Sequence, residues 1–476
     1  MAKIKKEVPK PINLRNFFFG PTIILFGLGL GAGELLLWPQ IAANYGLVFV
    51  WLAFFSLLVQ TLWTIEMAKI SLVTGEHFVL YMARIFGLIT SLMVFGIFTI
   101  LAAGIPSWAI NSAESLLRLY NFSLDYKTGL FIWAIISFGI TIILLALADK
   151  ISSLLEKIFK TITIISWIYL IFLIFSLELY KEIAKVFVSL FTDFGSLRFD
   201  ISMYTLASAV AFVGAGGIFN IWYTYWLRDI GWGMGKYVGS IKGIRKKQEK
   251  ILIDPIFPKE DKENLEKMSK WIKNFRMGFF SIYFFLNFLT LAIFISLGHL
   301  LYGSNSEIKN AAISVSELIS QKLGNIFGML YLLIVAIQLF STQFSITEGL
   351  IRQISDSIYI YFLKYRKKEI KINKLYFFLL LVFSAYGLLW IYLTKISEFL
   401  NPDFLIKLSA NIALIFQTFS IPLVLYYNYV IARKFLSYKI YQMIKPNLIV
   451  FIILITGFFL YLFLSFMAWS EIFAKM

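Results

Sequence analysis

The residue that most invites a chemical reading is Glu34. It follows four alternating glycines, Gly27, Gly29, Gly31 and Gly33, inside an apolar run that begins near Phe17, with no basic residue close by in sequence. A carboxylate within an apolar span is costly, and such residues mark pathways and binding sites by default. A second stretch repeats the pattern. "GAGELLLW" spans residues 31–38 and "GAGGIFNIW" spans residues 214–222. Each reads Gly-Ala-Gly, then a polar residue in an apolar setting, then Trp. Glycine is the weakest point of a helix after proline. In lipid, an interrupted backbone survives only where protein buries it or water lines it. Paired interruptions at corresponding places in two halves of a chain are how transporters build a substrate site at the midplane. The candidate binding set is therefore Glu34 and Asn220, with Gly31, Ala32, Gly33, Gly214, Ala215 and Gly216 supplying unwound backbone.

Other readings compete. Gly27/Gly31 and Gly29/Gly33 have GxxxG spacing, which also serves close helix packing. Glu34 also fits a structural ion pair or a protonated, hydrogen-bonded carboxyl. "GLGLGA" satisfies a loose dinucleotide fingerprint, but no strand precedes it and no βαβ unit surrounds it.

The elements that must position these residues are membrane helices. The chain has 476 residues, of which 59% are hydrophobic and only 15% charged, with mean hydropathy +0.79. A soluble protein carries about 25% charged residues. Apolar runs of about 20 residues fall near 18–44, 48–70, 86–110, 128–148, 159–178, 203–227, 276–302, 325–350, 375–397, 404–430 and 447–470, eleven spans in all. The first is expected to be retained rather than cleaved as a signal, because it is too long and lacks a small-residue cleavage site.

The net charge of +17 is a topology signal rather than a nucleic-acid footprint, because it sits in particular loops. The Lys/Arg excess falls in the N-terminal tail (Lys3, Lys5, Lys6, Lys10, Arg15) and after span 6 (Lys242, Arg245, Lys246, Lys247, Lys250). It recurs after span 8 (Arg352, Lys364, Arg366, Lys367, Lys368) and after span 10 (Arg433, Lys434, Lys439, Lys445). With eleven spans these share one side, which places the N-terminus in the cytoplasm and the C-terminus outside the cell membrane. The division is a tail 1–17, a first repeat 18–178 (spans 1–5) and an external loop 179–202. A second repeat 203–430 (spans 6–10, with cytoplasmic loop 228–275) and 431–476 (span 11 and C-terminus) follow. Residues 242–275, rich in Lys and Glu, read as a short cytoplasmic helix.

Enzyme chemistry finds no support. Cysteine is absent and histidine occurs only at His77 and His299, which excludes disulfides, thiolate sites and multi-histidine metal chemistry. No nucleophile–base pair is recognisable. No catalytic residue and no resident cofactor are expected. The expected partners are the bilayer and a small cation or small molecule, not nucleic acid.

Secondary polar candidates are Ser341, Thr342, Gln343 and Ser345 in span 8, Asn411 in span 10, Glu66 in span 2 and His77 after it. Serine and threonine hydroxyls often bond back to their own helix. Glu66, three residues before Lys69, reads as a surface pair. Arg228-Asp229 and Glu348/Arg352 read as interfacial pairs. His77 reads as an interfacial residue or a proton relay.

"GPTIILFGLGLGAGE" and "LLVQTLWTIEMAKISLVTG" resemble the start of the Nramp metal-ion transporters (natural resistance-associated macrophage proteins). The resemblance rests on Gly20-Pro21, Gln60 and Val73-Thr74-Gly75, with weaker echoes at 155–160, 338–356 and 408–422. It implies the amino acid–polyamine–organocation superfamily and an all-α, LeuT-like five-plus-five inverted repeat with discontinuous helices 1 and 6. It also implies that span 8 hydroxyls pack near unwound span 1 and can hold sodium. The chain departs from the family at the ligands. Where the family has Asp-Pro-Gly-Asn, this sequence has Gly31, Ala32, Gly33 and Glu34. Where the family has Met-Pro-His, it has Ile218, Phe219 and Asn220. A divergent branch is implied.

With the thioether gone, every remaining donor is oxygen, which suits Mg²⁺ or Mn²⁺ over softer ions, partly hydrated at a single carboxylate. The reading is a secondary transporter of a divalent cation by alternating access, with Glu34 as ligand and as a candidate proton carrier. The alternative is a transporter of an amino acid or amine in the same superfamily, coupled to protons or sodium.

Overall fold

The computed structural model describes residues 4–13, 20–119, 125–147, 151–195, 200–242, 247–248, 250–304 and 306–475. Lys3, Arg15, Arg245 and Lys246 of the basic pattern lie outside them. Among the described residues, ten helices are long and apolar enough to cross a membrane. They are span 1 (Pro21–Tyr45), span 2 (Val50–Thr74), span 3 (Leu88–Leu119), span 4 (Tyr126–Leu147) and span 5 (Ser153–Ser176). Span 7 (Lys262–His299), span 8 (Asn325–Tyr365), span 9 (Ile372–Ile396), span 10 (Pro402–Phe435) and span 11 (Leu448–Ala474) complete them. Span 6 is two short helices, Met203–Ala211 and Trp222–Ile230, joined through a tight turn at Gly217–Ile221. It is too interrupted to count as one helix, and it brings the bundle to the eleven expected crossings. The helix expected within 242–275 is instead the extramembrane start of span 7: it begins at Lys262, N-capped by Asp261, and runs on into the apolar segment.

Span 1 starts with Pro21 in its first turn, where a missing N–H costs nothing, and leaves the helix at Leu30, whose ψ is 51°. The chain resumes as a wide turn at Gly33–Leu37 and then as helix Trp38–Tyr45. Spans 1, 2 and 7 are largely buried, whereas spans 4, 5 and 11 present most of their surface outward. The fold thus puts its two broken helices at the centre.

Both faces of the bundle are tied. The strand Ile4–Lys6 pairs in parallel with Ile256–Pro258, so the tail and the segment after span 6 share a face, as an even number of crossings requires. On that face Asn264 accepts from the Val8 amide, and Trp271 donates to the Pro9 carbonyl. On the opposite face Asn44 and Gln40 of span 1 bond the backbone at Ile308 and Lys309.

Candidate functional site

The two interruptions touch. Gly33 lies so close to span 6 that a Cβ there would stand 1.9 Å from the Phe212 carbonyl oxygen. Gly29 has Asn287 Oδ1 and Gly214 against it. The span 6 break is built differently: Gly214, Gly216 and Gly217 have φ of 65°, 82° and 46°, a region that only glycine enters without strain. Trp38 Nε1 donates to the Ala209 carbonyl at 2.9 Å, and Trp222 Nε1 donates to Gln353 Oε1 at 2.9 Å. Each tryptophan that follows a break therefore anchors it to a neighbouring span.

Glu34 sits where the breaks meet, fully buried, in the first turn of the resumed helix. Its Oε1 accepts from the Gly214 amide at 2.9 Å, while Oε2 has no partner. Unwound backbone at such a site can offer a cation its carbonyls. Instead, the span 6 break turns N–H groups inward: Gly214 donates to Glu34, and Ala215 donates to the Tyr283 hydroxyl at 2.8 Å. The Gly31 carbonyl is taken by the Leu35 amide.

Asn220 is also fully buried, but its amide is committed. Nδ2 donates to Gln60 Oε1 at 3.1 Å. The hydroxyls of Thr64 and Tyr283 face Oδ1 at 3.1 and 3.2 Å. Gln60 in turn caps the end of the first half of span 6, donating to the Ala211 carbonyl at 3.1 Å, an end that has no intrahelical partner. Asn220 thus joins spans 2, 6 and 7 beside Glu34 through the shared Tyr283.

Three buried amides carry unused polar atoms near the breaks. Asn287 Oδ1 in span 7 lies beside Gly29 without a donor. Gln417 in span 10 has neither its N nor its O paired, and one turn before it Ala413 lies against Gly217. Asn411 donates to the Tyr204 carbonyl, Ser208 Oγ and the Lys407 carbonyl, linking span 10 to span 6 with Oδ1 unpaired. Tyr283, Asn287, Thr64 and Gln417 were not singled out from sequence; the usable signal was a lone polar residue in an otherwise apolar span. Among the described residues no group of three or more His, Asp or Glu is arranged so that it could hold a metal ion, so an ion at Glu34 would be held by one carboxylate and neutral oxygens.

The span 8 candidates turn back on their own helix. Ser341 and Thr342 donate to the Gln338 carbonyl, and Ser345 donates to the Thr342 carbonyl. Thr342 nonetheless packs against Gly31. Gln343 accepts from the Ala109 amide and donates to Thr347.

Three sequence expectations are corrected. Glu66 and Lys69 are paired at 2.6 Å but lie 3% and 0% exposed, not at the surface. Asn428 packs over them and bonds Glu66 at 3.0 Å. Glu348 does not pair with Arg352; it accepts from Trp226 Nε1 at 3.0 Å. Arg352 pairs with Asp229 and Asp356, and Arg228 pairs with Asp356 at 2.5 Å. Arg228 also keeps Asp229 at 3.3 Å, so that expected pair stands, but inside a buried two-by-two ion cluster between spans 6 and 8 that takes Arg352 away from Glu348. Out of water, each charge needs neighbours of opposite sign. His77 is buried as well, stacked on Tyr225 at 4.1 Å. Burial, reinforced by the nearby Arg228 charge, holds its imidazole well below the usual histidine range and therefore neutral.

No family model matches the chain, and no curated protein does. Solved structures do. A manganese transporter of Eremococcus coleocola superposes with TM-score 0.63 at 13% identity, covering 98% of this chain and 89% of that one. The same transporter in complex with an aromatic bis-isothiourea substituted compound gives TM-score 0.59 at 12% identity over 98% and 89%. Mhp1, a nucleobase-cation-symport-1 family transporter in a closed conformation with bromovinylhydantoin bound, gives 0.51 at 13% over 98% and 95%. The chain therefore has the LeuT-like fold, a multi-pass membrane bundle with discontinuous helices 1 and 6.

Proposed function

We propose that this protein is a secondary transporter that carries a divalent cation across the cell membrane by alternating access, with the N-terminus in the cytoplasm. The observation that carries the reading is Glu34: a fully buried carboxylate at the junction of two broken helices, with one oxygen fixed by the Gly214 amide and the other unpartnered. A buried carboxylate oxygen left open in this way calls for a partner. Asn287 Oδ1 lies at the contact of Gly29 with Gly214, and Glu34 is bonded to the same Gly214 through Oε1. Glu34 Oε2 and Asn287 Oδ1 are both unpartnered, hard oxygen donors. Such a set suits Mn²⁺ or Mg²⁺ with retained water. Glu34 also serves as the proton carrier when the ion is absent, as intramembrane carboxylates do in pumps and transporters.

The site is occluded, with Glu34 and Asn220 both fully buried. On the face opposite the N-terminal strand, a cavity of about 410 Å³ reaches Gln40 of span 1, and its wall carries Glu114, Glu307 and Asp403 together with Lys309 and Lys407, of which Lys407 already pairs with Asp403 at 2.7 Å. We assign it as the vestibule for a cation. The ion cluster of Arg228, Asp229, Arg352 and Asp356 closes the other end.

The aromatic rings beside the span 6 break favour a second reading, an organic amine. Trp108 lies 5.3 Å from Phe212 and 5.5 Å from Phe219, and Phe219 stacks on Trp222 at 5.1 Å. Such faces attract cations. Uptake into proteoliposomes of Mn²⁺, Mg²⁺ and a panel of amino acids and amines, with and without a pH gradient, separates the two. Metal uptake driven by the gradient is expected. Amine uptake without metal uptake would transfer the protein to the second reading.

A further inference from the structure

A cavity of about 410 Å³ lies where span 2, the start of span 7 and the start of span 11 meet, on the face that carries the N-terminal strand. Its walls combine Leu62, Ile65, Met277, Phe280 and Val450 with Arg276, Lys445, Ser281, Asn447 and Glu66. We propose that this is a binding site for an anionic phospholipid, whose phosphate sits between Arg276 and Lys445 and whose acyl chains lie along the apolar wall.

Charge complementarity identifies the occupant. Among the described residues, neither Arg276 nor Lys445 has a carboxylate at ion-pair distance. The one acid in the wall, Glu66, is already neutralised by Lys69 at 2.6 Å. The cavity is thus left with two unneutralised cations and no free anion. Arg276 is also held in place: its Nη2 donates to the Met443 carbonyl at 3.2 Å, which leaves the rest of a planar fork free for phosphate.

Depth points to the same ligand. Lys445 and Asn447 immediately precede span 11 at Leu448, and Arg276 lies where the polar start of span 7 gives way to Phe279 and Phe280. Tyr429 donates to the Pro446 carbonyl at 3.1 Å, a tyrosine at the level where such rings mark the membrane interface. Basic pockets between spans at that level hold lipid head groups. A free phosphate would use the cations but leave the apolar wall without a partner.

The test is native mass spectrometry of the full chain purified with mixed phosphatidylglycerol and phosphatidylcholine. Retention of phosphatidylglycerol over phosphatidylcholine by roughly twenty-five-fold is expected, about fivefold for each of two interfacial cations. Arg276→Gln with Lys445→Gln is expected to abolish the preference, while Arg276→Lys keeps it. The remote pair Lys364→Gln with Lys368→Gln is expected to leave it unchanged. Lys445 is exposed, so Lys445→Gln alone, expected to lose about fivefold, keeps the test valid should the double variant not fold. Equal retention of both lipids by the wild type, or an unchanged preference in Lys445→Gln, would overturn the proposal. So would displacement of the lipid by millimolar inorganic phosphate.

Discussion

The two Gly-Ala-Gly breaks look alike in sequence and use their glycines for different physical purposes. In span 1 the glycines provide room. None of Gly29, Gly31 and Gly33 has positive φ, but Gly33 lets span 6 approach to where a Cβ would overlap the Phe212 carbonyl. In span 6 the glycines provide conformation, because Gly214, Gly216 and Gly217 all occupy the left-handed region. Span 1 supplies the carboxylate and span 6 supplies the amide that fixes it. The lesson is that a repeated motif at two-fold related places need not be a repeated mechanism: one break closes on the other.

Alanine substitutions should resolve the two roles, read as shifts in the thermal unfolding midpoint of the purified protein. Gly33→Ala is expected to be the most damaging. Its Cβ would meet a backbone oxygen that cannot rotate away, so the cost lies at the upper end of overpacking penalties, about 3 kcal/mol or more. Should Gly33→Ala be tolerated, the close approach is not needed. Gly214→Ala follows at roughly 2–3 kcal/mol. About 1–2 of that comes from the left-handed conformation, with a further contribution because its Cβ would lie 2.6 Å from the Tyr283 hydroxyl. Tyr283→Phe is expected to cost about 2 kcal/mol, because it leaves the buried Ala215 amide without an acceptor. It should also loosen Asn220 and so weaken transport more than a remote change of equal instability. Gly31→Ala, the counterpart of Gly214→Ala, is expected to cost about 1 kcal/mol or less, its nearest obstacles being the Leu28 carbonyl at 3.0 Å and Thr342 at 3.3 Å. Equal costs for Gly31→Ala and Gly214→Ala would erase the distinction.

The sequence made the architecture legible because its signals are local. Twenty-residue apolar runs, lysine-rich loops and two glycine-rich interruptions each announce themselves within a short window. The eleven spans and the breaks in spans 1 and 6 follow from them, while the LeuT-like fold comes from the family resemblance. Glu34 stands out because a carboxylate in such a run has no ordinary use. The residues that complete the site were harder to see. Tyr283, Asn287 and Gln417 lie in uninterrupted helices far along the chain, where one polar group resembles packing glue. Only the crossing of spans 6, 7 and 10 brings them to the breaks. Backbone direction was equally hidden: unwinding predicts free polar groups but not whether carbonyls or amides face inward. The pairing of charges also escaped, since helical spacing favoured Glu348 with Arg352 while the fold joined Arg352 to Asp229 across two spans.

Glu34 is the proposed cargo ligand and not merely a structural acceptor for Gly214. Calorimetric titration of Mn²⁺ into the purified protein, wild type against Glu34→Gln, tests it most directly. Glutamine can still accept from the Gly214 amide, so the fold should persist and its thermal midpoint should change little. Mn²⁺ affinity, however, is expected to fall roughly a hundredfold or more, beyond what loss of an outer-shell partner costs. Wild-type affinity in the folded Glu34→Gln protein would contradict the assignment.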